Sequence, residues 1–167
     1  AYREREGVVG LVLAENPFYV ESGGQVSDGG TVTGEGWSLN VTEVAKVAAG
    51  TAVFGAVEGA LGPLAADTIV KASVSESVRR DTVRNHTATH LLHAALRSGL
   101  GEHVVQRGSL VAPDRLRFDF AHTSPMSPEE RERVEAIVNE GVWADHPVQI
   151  GSRSYEEAVE AGAMALF

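Results

Sequence analysis

The chemistry-bearing residues of this chain concentrate in His86-Thr87-Ala88-Thr89-His90-Leu91-Leu92-His93. On a helix, His86 and His90 stand one turn apart and face the same way. Their imidazoles can therefore converge on one ion at about 2.0 Å, the zinc-to-nitrogen distance. Two ligands alone hold a metal weakly. His93 falls on the same stripe, but Thr87 occupies the place where a His-Glu-x-x-His protease keeps its general base, which argues against that chemistry. On spacing alone, capped or solvated imidazoles on a helix face outweigh the metal reading.

A second feature is the run Asn16-Pro17-Phe18-Tyr19-Val20-Glu21-Ser22-Gly23-Gly24-Gln25-Val26-Ser27-Asp28. Adjacent glycines permit positive φ and close approach of backbone to a ligand, and Glu21, Ser22 and Gln25 offer polar tips beside an apolar stretch. No Gly-Lys-Ser/Thr ending follows, so a phosphate-cradling loop of the P-loop type is not supported. A tight turn between strands accounts for the run equally well.

Composition narrows the chemistry further. The 167 residues contain no Cys, which removes disulfides and thiolate ligands and leaves His and carboxylates as metal donors. No apolar run approaches the ~20 residues that a bilayer-spanning helix requires. The formal charge of −9 argues against binding nucleic acid by bulk electrostatics. One stretch departs from that average. Arg79, Arg80, Arg84, Arg97, Arg107, Arg115 and Arg117 outnumber Asp81, Glu102 and Asp114, giving residues 79–117 a net +4 and the remainder −13. Solvated arginines on a helix and a hairpin remain the plainer reading of that stretch.

The elements that must position these residues change character near residue 75. Twelve of the 18 glycines lie at or before Gly62, among short Val- and Thr-rich runs at 8–13, 31–32, 37–46, 51–57 and 68–74. This pattern predicts a small all-β unit over 1–75, built as a barrel. From Ser77 to Leu100 the period becomes helical, with Gly101 in the place of a C-terminal cap. A hairpin follows, Val104–Val111 and Leu116–Phe120, turning at Ala112-Pro113-Asp114-Arg115. Strand alternation sets Gln106 as the polar member of a face shared with Val104 and Leu110. Ser127-Pro128-Glu129-Glu130 reads as a capping box opening a helix that ends near Asp145. Pro147 then breaks the chain, Val148–Ile150 reads as a strand, and Ser154-Tyr155-Glu156-Glu157 repeats the capping box before a short helix stopped at Gly162.

Taken together, the motifs resemble a known family. Asn-Pro-Phe-Tyr-Val-Glu-Ser-Gly-Gly-Gln from Asn16, Arg84-Asn85-His-Thr-Ala-Thr-His-Leu-Leu-His from Arg84, Gly101-Glu-His-Val-Val-Gln-Arg-Gly-Ser-Leu-Val111, and Leu116-Arg-Phe-Asp-Phe120 are similar, in order, to the editing domains of bacterial alanyl-tRNA synthetases. The resemblance covers essentially the whole chain. It extends to freestanding AlaX editing proteins and, more distantly, to the second N-terminal domain of threonyl-tRNA synthetases.

That resemblance implies an α+β protein, with the β-barrel over 1–75 followed by a two-layer α/β editing core over 76–167 of the type common to threonyl- and alanyl-tRNA synthetases. It implies hydrolysis of serine or glycine wrongly joined to the 3′ end of tRNA(Ala). His86 and His90 become zinc ligands, Thr89 and Gln106 catalytic residues lining the editing pocket, and Gly23, Gly24 and Gln25 a substrate-binding motif beside it; His93 matches no ligand. The family's other two zinc ligands come from a Cys-x-x-x-His motif that this Cys-free sequence lacks, so the site is expected to be half built and the segment inactive by itself. The absent initiator Met and apolar end, Ala163–Phe167, favour an excised piece of a longer cytoplasmic synthetase. The implied partners are mischarged tRNA(Ala) and the remaining synthetase domains, with no membrane. A freestanding AlaX-type hydrolase and a non-catalytic scaffold are the alternatives.

Overall fold

A computed structural model describes residues 2–5, 7–65 and 67–163. The strands are β1 (Tyr2–Arg5), β2 (Val8–Val12), β3 (Gly30–Gly34), β4 (Trp37–Val47), β5 (Gly50–Gly59), β6 (Lys71–Val74), β7 (Gln106–Val111) and β8 (Leu116–Phe120), and the helices are α1 (Glu76–Leu100), α2 (Pro128–Ala144) and α3 (Tyr155–Glu160). The protein is thus α+β, with antiparallel sheets. Two compact units result, Ala1–Thr89 with Gly108–Phe118, and His90–Arg107 with Asp119–Phe167.

The first unit is organised by the long β4–β5 pair. Along β4, Trp37, Leu39 and Val41 point inward at every second position, as a strand with one buried face requires. A bulge between Val41 and Glu43 then shifts the phase, and Val44 rather than Glu43 is buried. One extra residue in the strand thereby keeps the apolar set on the core side. These residues join Val9, Leu11, Phe18, Val32 and Val53 in a single hydrophobic cluster.

The sheet order is β1-β2-β5-β4-β3-β6. It is open, with β1 and β6 at its edges, so the barrel expected over 1–75 does not form. Short strands and glycine turns are common to open and closed sheets. Closure depends on hydrogen bonding between the first and last strands, and here β1 pairs with β2 while β6 pairs with β3. Sequence reading missed β1 because Tyr2-Arg3-Glu4-Arg5 carries three charges, a composition tolerated at a sheet edge. The expected strand at 68–74 shortens to Lys71–Val74.

The second unit packs helix on helix. The C-terminal half of α1 buries Ala95 and Leu96, and Val134 of α2 is buried with them in this unit. Gly99 of α1 lies against Val134, while Gly141 of α2 lies against Leu91. The anticipated capping boxes are both present: Ser127 accepts from the Glu130 N–H and Ser154 from the Glu157 N–H, with each glutamate reaching back to its serine N–H. Val148–Ile150 is not a strand. Val148 and Ile150 are 82% and 96% exposed, and no strand among the described residues pairs with the segment, so β-propensity there has nothing to act on. Of the apolar tail Ala163–Phe167, residues 164–167 lie outside the described residues.

Backbone proximity at the bulge makes Gly55 a sensitive position. It faces Val41 across the β4–β5 pair, and a Cβ there would overlap the Asn40 carbonyl. Gly62 has open space around it and no positive φ. Gly55→Ala is expected to destabilise the chain by about 1–3 kcal/mol, as overpacking does. Gly62→Ala should be neutral or slightly stabilising through loss of unfolded-chain freedom. Urea denaturation of the two variants checks the contrast.

Candidate functional site

The loop from Asn16 to Asp28 is built on internal polar contacts. Asn16 Nδ2 donates to the Phe18 carbonyl at 2.8 Å, and the Phe18 ring is buried in the core of the first unit. The Tyr19 N–H donates to Asp28 Oδ2 at 2.6 Å, and the Asp28 N–H donates back to the Tyr19 carbonyl at 3.2 Å. Asp28 itself is 4% exposed. Its carboxylate is met by Arg79, whose Nε lies 2.9 Å from Oδ1, while Nη2 bonds both Oδ2 and the Pro17 carbonyl. Hydrogen bonding to Asp28, helped by charge attraction and opposed by burial, raises the Arg79 pKa above its ordinary value. This clamp holds the start of α1 and both ends of the loop together.

Within that frame, Ser22-Gly23-Gly24-Gln25 is a tight turn. Gln25 N–H donates to the Ser22 carbonyl at 3.0 Å, and Ser22 N–H to the Gln25 carbonyl at 3.2 Å. Gly23 and Gly24 have φ of 59° and 82°, the positive pair that a type I′ turn needs. Beyond the turn the chain docks on the end of β7: Val111 N–H donates to the Gly24 carbonyl at 2.8 Å and Val26 N–H to the Val111 carbonyl at 3.0 Å. Gly24 sits so close to Ser109 that a Cβ would come within 2.6 Å of its backbone carbonyl oxygen.

This docking aims one side chain at the helix. Gln25 is 7% exposed, and its Oε1 lies 2.6 Å from Nδ1 of His86. The adjacent Asn85 donates from Nδ2 to the Ala112 carbonyl at 2.7 Å and to the Pro113 carbonyl at 3.3 Å, tying α1 to the turn between β7 and β8. Thr89, also buried, donates its hydroxyl proton to the Asn85 carbonyl at 2.8 Å.

The remaining sequence-predicted residues are placed as follows. His90 stands one turn beyond His86 on the unbroken α1 and is exposed. His93 is buried. Gln106 opens β7 and is half-buried in the second unit. Thus the first unit joins Gln25 to His86, while Gly23 and Gly24 shape the turn that permits it. No group of three or more His, Asp or Glu among the described residues is placed to hold a metal ion. No helix among them is long and apolar enough to cross a membrane.

Sequence reading missed the roles of Asp28, Arg79 and Asn85, whose partners lie 51, 51 and 27 residues away. It also missed a histidine pair of the second unit, in which His103 Nε2 lies 2.9 Å from His122 Nδ1 with the rings stacked. No local pattern signals such distant pairings.

Comparison with known proteins supplies a class and then particular relatives. Over nearly its whole length the chain is similar to a segment of tRNA ligases. These are alanine-tRNA ligases: 51% identity over 162 residues with that of Halorhodospira halophila, 49% over 160 with that of Roseiflexus sp., and 52% over 159 with that of Bordetella petrii. The matches cover 97%, 95% and 94% of this chain but 18% of each relative. No protein-family model matches the chain.

The Arg79–Asp28 pair is expected to carry stability for this region. A fully buried pair costs about 3–5 kcal/mol when one partner is removed. Arg79 is 39% exposed, so solvent screening reduces the expected loss for Arg79→Met to roughly 2 kcal/mol. Combining it with Asp28→Asn should cost less than the sum of the single changes, since the second removes the charge the first leaves unpaired. Denaturant unfolding of the four-member cycle tests this.

Proposed function

We propose that this chain is the editing segment of an alanine-tRNA ligase, removing serine or glycine from the 3′ end of tRNA(Ala). The observation that carries the reading is the 2.6 Å bond between Gln25 and His86, because it brings the glycine-rich motif and the His-x-x-x-His helix into direct contact although 61 residues separate them. Both motifs belong to the resemblance, and likeness to alanine-tRNA ligases over 97% of the chain supports the same assignment.

The need for such a site is physical. A pocket built for alanine cannot exclude glycine by size, and one added hydroxyl on serine gives weak rejection, so a second, hydrolytic site must correct the errors. His86 and His90, one turn apart, suit zinc as two nitrogen donors of a tetrahedral set. The other donors come from outside the described residues, the resemblance naming a Cys-x-x-x-His motif. When bound, zinc supplies Lewis-acid polarisation of an ester carbonyl or a water.

Thr89 supports discrimination through its hydrogen-bond arithmetic. A threonine hydroxyl has one proton and two lone pairs, and here the proton is committed to the Asn85 carbonyl. The oxygen can therefore only accept, which suits the hydroxyl donor of a serine side chain. Gln106 can both donate and accept, and is assigned to the aminoacyl group. Transfer RNA and the other ligase domains are the partners in this reading, and the cytoplasm, where tRNA is charged, is the compartment.

In the full-length ligase, Thr89→Val and Gln106→His should each lower Ser-tRNA(Ala) deacylation by about tenfold or more, as the loss of one buried hydrogen bond predicts. Aminoacylation should be unaffected. Unchanged deacylation in both variants would remove the assignment.

A further inference from the structure

We propose that Gln25 is a positioning residue that locks His86 in one tautomer, with the proton on Nδ1 and the lone pair on Nε2. The inference deepens the reading above, in which His86 is a metal ligand. Its basis is the donor inventory at the contact. The amide oxygen of Gln25 has lone pairs and no proton, so an approach of 2.6 Å to Nδ1 places the shared hydrogen on the ring. In a neutral imidazole the other nitrogen then holds the lone pair, and a metal-binding histidine needs that arrangement.

Both partners are held by other bonds. Gln25 is buried, and its backbone is fastened to Ser22 on one side of the turn, while its neighbours Gly24 and Val26 bond Val111. The helix at His86 is fastened by Asn85 to the Ala112 and Pro113 carbonyls. A ring gripped at Nδ1 by a side chain that cannot follow it keeps a fixed orientation, the outer contact that tunes a ligand. The glycine-rich motif thereby acquires a role distinct from touching substrate: Gly23 and Gly24 allow the turn, and the turn delivers Gln25.

The test reads the tautomer directly. Two-bond proton–nitrogen correlation spectra of the 15N-labelled 167-residue chain, metal-free and about two pH units above an ordinary histidine pKa of ~6.5, report which ring nitrogen carries hydrogen. Wild-type protein is expected to show His86 protonated at Nδ1, Gln25→Glu to keep that pattern by retaining an oxygen acceptor, and folded Gln25→Leu to lose it. Zinc affinity of the full-length ligase should fall about 10–100-fold in Gln25→Leu and recover in Gln25→Glu. A wild-type ring protonated at Nε2, or a folded Gln25→Leu chain with unchanged His86 signals, overturns the proposal. The wild-type spectrum decides even if Gln25→Leu fails to fold. Because it needs neither metal nor tRNA, an Nδ1–H signal sustains the inference should editing activity prove absent, and an Nε2–H signal overturns it should editing prove intact.

Discussion

A carboxylate removed from water must be met by a cation and by hydrogen-bond donors, or it does not stay buried. Asp28 is buried to 4% exposure, and the arrangement around it follows from that requirement. Arg79 reaches it from the first turn of α1, and the Tyr19 N–H reaches it from the other end of the loop. The same guanidinium also takes the Pro17 carbonyl. One charge therefore gathers three separated points of the chain, and the turn at Gly23 and Gly24 projects from a loop whose two ends are no longer independent. The clamp thereby narrows the directions open to the turn that carries Gln25.

A second support is backbone rather than charge. The turn is seated on β7 through reciprocal bonds with Val111, and β7 leads into the Ala112–Arg115 turn, where Asn85 holds the helix. Loop, strand end and helix thus form a closed circuit of hydrogen bonds around Gln25 and His86. Rigid surroundings of this kind are what a ligand needs if it is to be presented in one orientation. The open sheet beneath contributes the apolar cluster in which Phe18 anchors the loop.

Electrostatics takes a different form from the charge count. The arginine-rich stretch 79–117 is a net +4, yet Arg79 is committed to Asp28, Arg84 pairs with Asp81, Arg115 pairs with Asp114, and Arg97 donates to the Glu102 and Val104 carbonyls. Arg79 and Arg97 thus serve the fold as ties beyond their helix, while Arg84 and Arg115 are held in local, exposed pairs. A positive stretch in an acidic chain is consequently a poor measure of how much positive field reaches a ligand.

The helices and most strands were legible from the residues alone, because periodicity and capping act within a few positions: α1, expected over Ser77–Leu100, runs Glu76–Leu100, and the two capping boxes and the 112–115 turn stand where Ser127, Ser154 and Pro113 indicate. The residues also nominated His86, His90 and the glycine pair, and the structure joins His86 to Gln25 of the turn that the glycines shape. Sheet closure was not legible, since whether β1 meets β6 depends on pairing across some seventy residues, and the isolated Val148–Ile150 run has no strand partner among the described residues. Nor could spacing show that Gln25 serves His86, or that Arg79 is tied to Asp28. What the sequence by itself determined is the local grammar and the identity of the reactive side chains. Only the tertiary structure decided which of them meet, because hydrogen bonds and ion pairs depend on distance in space, and distance along the chain does not encode it.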